Sequence, residues 1–242
     1  MPNPSTRTLV TFLLDRTGSM EAIRDDTIGG FNAYLDGLKR AGEANIEFTL
    51  VQFDSMSIDK ICVAVPIAEV EKLSRDSYQP RASTPLIDAA YKTITAVEAS
   101  LVGAPAAKVV ICIQTDGQEN SSTEHSWNEL NALVKEKAAL GWQFNFMGVG
   151  MDAYDQGARM GIAPAATVAY DHWDAEATRS VFAASAENAR EYALGRRTRS
   201  VYCEQQKRAA GDRFADLLSQ EPKSNKPSKR ELKKGIVDDI NL

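Results

Sequence analysis

Leu9-Val10-Thr11-Phe12-Leu13-Leu14-Asp15-Arg16-Thr17-Gly18-Ser19-Met20 is the stretch that decides the fold of this chain. Its first six residues make an apolar-rich run of strand length, the kind a sheet buries on both faces. Asp15 therefore stands at the C-terminal tip of a strand, followed by a loop with hydroxyls at positions 17 and 19. A second run, Val109-Val110-Ile111-Cys112-Ile113, leads within three residues to Asp116-Gly117. Two carboxylates at two strand tips, with hydroxyls beside one of them, point to a site for a hard metal ion.

Outward from this stretch, strand and helix alternate, the pattern of a mainly parallel sheet with helices on both faces. The first strand is expected over Thr8–Leu14. A helix follows over Ser19–Lys39, with Met20, Ile23, Phe31, Leu35 and Leu38 at helical spacing and Gly42 as its stop. Gly29-Gly30 within it costs about 1 kcal/mol per glycine relative to alanine, so the pair predicts close packing on the sheet or a bend. Ile46–Phe53 and Lys60–Ile67 read as strands two and three. The link between them is too short for a crossover helix, so they should be antiparallel, and Pro66 agrees with an edge position. Leu73–Ser83 reads as irregular, and Pro85 suits the first turn of a helix carrying Leu86, Ala89, Ala90, Ile94 and Val97.

Beyond Asp116, Ser126-Trp127-Asn128-Glu129 has the spacing of a capping box, and its helix ends at Gly141. Trp142–Val149 alternates as a strand, Tyr154–Met160 is a short helix stopped by Gly161, and Thr167–Tyr170 is a last strand. Asp174 or Asp171 caps a final long helix through Ala193. The expected fold class is α/β: a doubly wound, Rossmann-like, mainly parallel sheet of about six strands with one antiparallel edge strand. Residues 5–195 make this domain. Residues 196–242 read as a helical extension, with a helix candidate at Glu204–Leu218, and a flexible basic tail.

At 242 residues the chain holds one such domain with a full core plus an appendage. The formal charge, 28 − 33 = −5, argues against a whole-surface affinity for nucleic acid. No apolar run approaches the ~20 residues of a membrane span, and Met1–Ser5 does not open a secretory signal. Cys62, Cys112 and Cys203 are odd in number and widely spaced, and read as free thiols of a reducing, cytoplasmic compartment.

In an open α/β sheet, ligands bind beyond the carboxyl ends of the parallel strands. Asp15 and Asp116 should therefore share one crevice. Thr17 and Ser19 lie beside it, and the loop Arg81-Ala82-Ser83-Thr84-Pro85 can bring Thr84 over it. This all-oxygen set suits Mg²⁺, which takes about six hard ligands and keeps some water. Mn²⁺ fits the same set, Ca²⁺ is a further alternative, and the chain lacks the Cys/His spacing of a zinc site. Two carboxylates bring the site near neutrality and leave one exposed position for a carboxylate from a partner.

These segments carry a family resemblance. Asp15-Arg16-Thr17-Gly18-Ser19, Thr84 within Ser83-Thr84-Pro85, and Thr115-Asp116-Gly117 resemble the metal-ion-dependent adhesion site of von Willebrand factor type A domains. The resemblance covers roughly residues 5–195, and Thr17 stands where the family has a serine. It implies that Thr17, Ser19 and Thr84 are inner hydroxyl ligands, with Asp15 and Asp116 acting directly or through water. Gln52-Phe53-Asp54 and Thr115–Asn120 look like the bacterial and phage intracellular branch. Partners in that family often include AAA+ ATPases and other complex subunits.

Several residues near these motifs admit a plainer reading. Arg16 has the chemistry to orient a partner's carboxylate, or to form an ion pair. Asp54, Glu119 and Asn120 read either as rim residues or as turn and cap residues. His125 and His172 read as ordinary loop histidines, and Trp127, Trp142 and Trp173 as core or boundary packing. The end Ile236–Leu242 has the make-up of a short docking peptide.

Three functions compete. The leading one is a non-enzymatic, metal-dependent protein-binding module, since the motifs supply no nucleophile–base pair and no phosphate-binding glycine loop. A Mg²⁺-dependent phosphohydrolase with Asp15 as nucleophile is the second, but position 17 holds Thr where such enzymes place a second aspartate. The third is an assembly protein acting through its C-terminal tail.

Overall fold

Six strands form one sheet in the order β3-β2-β1-β4-β5-β6. They are β1 (Thr8–Asp15), β2 (Ile46–Phe53), β3 (Ile58–Pro66), β4 (Lys108–Gln114), β5 (Gln143–Val149) and β6 (Thr167–Tyr170). The computed structural model describes residues 6–42, 44–104 and 106–214. The tail at 223–242, the docking peptide and residues 215–218 lie outside the described residues; the helix expected over 204–218 is helical only over Glu204–Ala209 and has ended by Gly211. All neighbouring strands are parallel except β2 and β3, which pair antiparallel. The chain winds away from β1 in one direction and from β4 in the other, so the switch point falls between those two strands.

The helices are α1 (Arg24–Lys39), α2 (Leu86–Leu101), α3 (Trp127–Ala139), α4 (Asp152–Met160), α5 (Ala175–Ala193) and α6 (Glu204–Ala209). The helix expected from Ser19 starts as a tight 3-10 turn over Gly18–Ile23 and becomes α-helical only at Arg24. Ser126 and Glu129 form the expected capping box on α3, and Asp174 is the cap of α5.

β1 is buried along its whole length and feeds two cores by alternation. Val10, Phe12 and Leu14 face α1 and α5, while Leu9 and Leu13 face α2, α3 and α4. Phe12 is the hub of the first core. Its ring lies 5.3 Å from Phe31 and 4.9 Å from Tyr34, both edge-on, and 6.0 Å from the parallel ring of Phe182. Of the glycine pair of α1, Gly30 alone is closely packed, and against a helix and not the sheet. A Cβ on Gly30 would come within 2.4 Å of the Phe182 ring on α5, whereas Gly29 faces open space. Gly37, two turns on, similarly admits the Ala186 methyl of α5.

The segment after α5 returns to the domain. Tyr202 is buried, with its hydroxyl 2.7 Å from Ser185 Oγ and its N–H donated to the Ala165 carbonyl. Past α6, Ala210 accepts from the Asp171 N–H, and the Asp212 carboxylate accepts from Ala169 N–H of β6 and from the Tyr154 hydroxyl.

Candidate metal centre

Asp15 ends β1 with its side chain fully buried. One carboxylate oxygen accepts the Thr17 N–H at 2.7 Å, and the other accepts the Thr115 hydroxyl. The Tyr78 hydroxyl donates to the Asp15 carbonyl at 2.6 Å and closes the back of the site. Burial pushes the Asp15 carboxyl up to about 7. The hydrogen bonds from Thr115 and Thr17 oppose this, and nearby Asp116 adds to it.

Asp116 follows β4 and accepts from Ser19 Oγ at 2.7 Å. Burial raises its pKa as well, against that hydrogen bond and the pull of His172. Thr17 Oγ1 lies 3.3 Å from Ser19 Oγ. A Cβ built on Gly117 would sit 3.3 Å from Thr84 Oγ1, 3.6 Å from Ser19 Oγ and 3.9 Å from Thr115 Oγ1. The hydroxyls of three separate loops thus meet in a small space beside Asp116. Ser19 is exposed and Asp116 half-buried, so the space opens to solvent. All five residues expected at the site, Asp15, Thr17, Ser19, Thr84 and Asp116, come to this one crevice.

Among the described residues no three His, Cys, Asp or Glu side chains cluster as metal ligands. A cation here would have to be held by two carboxylates and neutral hydroxyl oxygens. That donor set fits Mg²⁺ or Mn²⁺ and not zinc.

The loops are tied together by backbone. Gly18 N–H donates to the Ala82 carbonyl at 3.0 Å and Arg81 N–H to the Arg16 carbonyl at 2.9 Å. Ala82 takes a left-handed φ of +60°, a conformation uncommon outside glycine. Asn120 holds Thr84 from both sides: its side-chain oxygen accepts the Thr84 N–H at 2.8 Å, and its own N–H reaches the Thr84 carbonyl. Glu119 accepts from Ile87 N–H in the first turn of α2 and from Ser121 and Ser122 N–H. Both residues position the site, as turn and cap chemistry would have them. Thr115 is the member that sequence reasoning passed over. Its place beside Asp116 in the motif was the available signal, since a hydroxyl at a strand end can bridge back to the neighbouring strand tip.

Arg16 does not face the crevice opening. It is 8% exposed and turned toward β2 and β3, where its guanidinium lies 2.7 Å from Asp54 and 2.8 Å from Asp59. The buried Asp54 carboxylate also takes Arg81 Nε at 2.9 Å and the N–H groups of Met56 and Ser57. Burial alone would raise the Asp54 pKa, but the bonds from Arg81, Met56, Ser57 and Arg16 outweigh it and hold it below the usual range. In Asp54→Asn an amide N–H₂ must replace one acceptor oxygen and face either the guanidiniums or the two backbone donors. Destabilisation of about 3 kcal/mol is expected in urea titration.

Trp173 departs from its expected packing role: it is 74% exposed, its ring tilted at 43° to that of His172 with centroids 4.6 Å apart. Trp142 is buried as expected, and Trp127 lies under the Arg159 guanidinium at 4.3 Å.

No protein-family model and no curated protein matches the sequence. Solved structures do match the fold. The pilus adhesin SpaC from Lactobacillus rhamnosus GG, in an open conformation, aligns at TM-score 0.62 and 13% identity, over 78% of this chain and 30% of that one. Proximal thread matrix protein 1 from the mussel byssus aligns at TM-score 0.53 and 15% identity, over 78% and 47%. A von Willebrand factor type A protein from Catenulispora acidiphila aligns at TM-score 0.53 and 13% identity, over 76% and 43%. The chain spans less than half the length of each of these structures. At such identities the likeness shows the fold: it is a von Willebrand factor type A fold.

Proposed function

We propose that this chain is a non-enzymatic protein-binding module that reaches its partner through a divalent cation. Mg²⁺ is the favoured ion, with Mn²⁺ or Ca²⁺ as alternatives. Asp15, Thr17, Ser19, Thr84 and Asp116 hold it, and an acidic side chain of the partner completes the site. One observation carries this reading. Asp15 and Asp116 are buried or half-buried carboxylates at neighbouring strand tips, both with raised pKa values, and neither is paired with a Lys or Arg among the described residues. Asp54, the first residue past β2, has its two arginines. A pair of carboxylates without a counter-charge, faced by hydroxyl oxygens, is the electrostatic arrangement that favours a hard cation.

The neutral hydroxyls matter as much as the carboxylates. They supply coordination without cancelling charge, so a bound ion keeps enough positive character to attract an anionic group. The SpaC neighbour is described as an adhesin, which agrees with a binding role.

Isothermal titration of the purified chain with Mg²⁺ and with Mn²⁺ tests the reading, followed by affinity capture in Mg²⁺ and again in EDTA. Saturable binding of one ion and partners eluted by EDTA are expected. Absence of binding by either metal would overturn the proposal.

A further inference from the structure

The face of the sheet opposite α1 and α5 is covered unevenly. Helices α2, α3 and α4 pack on it with Leu9, Leu13 and the odd-numbered residues of β4. After Pro66 the chain passes to the other side, where Ile67, Val70, Leu73 and Tyr78 join the α1–α5 core. The corner between α2 and the strands β1, β2 and β3 is left as a cavity of about 270 Å³.

Its composition is directional. Leu9 and Val51 of the strands and Val97 of α2, all buried, make most of a largely apolar floor shared with Thr11 and Thr49, and Ala96 and Val63 flank it. Three cationic residues also line it, Arg7, Lys60 and Lys92. Arg7 is paired with Glu47 at 2.7 Å and Lys92 with Glu124 at 2.6 Å. Lys60, exposed on β3, has no ion-pair partner among the described residues. The Thr93 hydroxyl, on the α2 wall and buried, has no hydrogen-bond partner among the described residues.

β3 is also shaped around this corner. Its pairing with β2 shifts register there, and Ala64 takes φ +50° with its N–H bound to Thr49 Oγ1 at 3.0 Å. Irregularities of this kind re-aim side chains beside binding sites.

We propose that this cavity binds a small amphipathic anion, a medium-chain aliphatic carboxylate. Its chain lies on Leu9, Val51 and Val97, and its carboxylate pairs with the Lys60 ammonium. A single unpaired point charge above an apolar floor suits a monocarboxylate; the site offers no free guanidinium fork for a phosphate. Leu9 lies six residues before Asp15 along β1, about 20 Å away at strand rise, so the site does not depend on the metal crevice.

Titration calorimetry of the full chain in EDTA with octanoate tests this, with octylammonium as the probe of equal length and opposite charge. Octanoate should bind one to one, at least about 5-fold more tightly than octylammonium, a margin of about 1 kcal/mol. Lys60→Gln should weaken octanoate by a similar factor, and Ala96→Phe should abolish binding by filling the cavity. Val63→Glu, on an exposed side chain, should weaken binding without touching the core if Ala96→Phe fails to fold. No saturable octanoate binding overturns the proposal, as does equal affinity for octylammonium or affinity unchanged in both Ala96→Phe and Val63→Glu.

Discussion

Asp15→Asn is expected to lower the proposed Mg²⁺ affinity by at least about 100-fold, more than the 10- to 100-fold typical of residues that only support a ligand. The substitution keeps the size of the side chain and an oxygen to accept the Thr17 N–H. It would remove one of the two carboxylates proposed to neutralise the ion. Calorimetric titration checks the affinity, and circular dichroism checks that the fold persists.

The same variant has an opposite effect on the metal-free protein. The folded Asp15 carboxyl titrates near 7, above its value of 3.8 in the unfolded chain. Between these values the unfolded chain has lost a proton that the folded chain retains. Stability of the metal-free protein therefore falls as pH rises from about 4 to about 7 and levels off above. Asp15→Asn removes most of that slope, and saturating Mg²⁺ restores stability by binding the folded state alone. Thermal melts at pH 5 and 7.5, with EDTA and with Mg²⁺, read both effects. A wild-type slope of the opposite sign in EDTA would contradict the burial argument.

Phe12→Ala costs about 4 kcal/mol, the largest stability loss expected of a single core truncation here. The ring has no exposed surface and touches Phe31, Tyr34 and Phe182 at once. Those three rings are themselves locked, Phe31 and Tyr34 on α1 and Phe182 against Gly30, so little can move in to fill the void. The loss is a large share of the roughly 5–15 kcal/mol by which domains are stable. Urea denaturation should show the midpoint falling with an unchanged slope.

The strands were legible because their signals are local. β2 and β6 run over the residues expected from their apolar pattern, and the short link before β3 was enough to set its antiparallel direction. The meeting of the candidate site residues was legible for a related reason: in a doubly wound sheet the strand tips converge by topology, so Asp15 and Asp116 had to come to one crevice. What stayed hidden depends on partners distant in sequence. Arg16 is turned inward by Asp54 and Asp59, which lie some forty residues away. Gly30 is needed because Phe182 arrives from α5, and nothing near either residue announces the other. Trp173 reads as core or boundary packing by composition, but the loop after β6 carries it outward.

The return of the chain past α6 has a consequence for how this sheet meets others of its kind. The Ala169 N–H, on the side of β6 away from β5, is occupied by Asp212, and the Asp171 N–H by the Ala210 carbonyl. One flank of the sheet is thereby closed to any foreign strand. The other flank, β3, is not paired to a further strand among the described residues, and it is interrupted by a bulge and by Pro66. Fibrous growth requires two open flanks per molecule, so that each copy both receives a strand and offers one. A sheet sealed on one side can join a single neighbour and then has nowhere to extend.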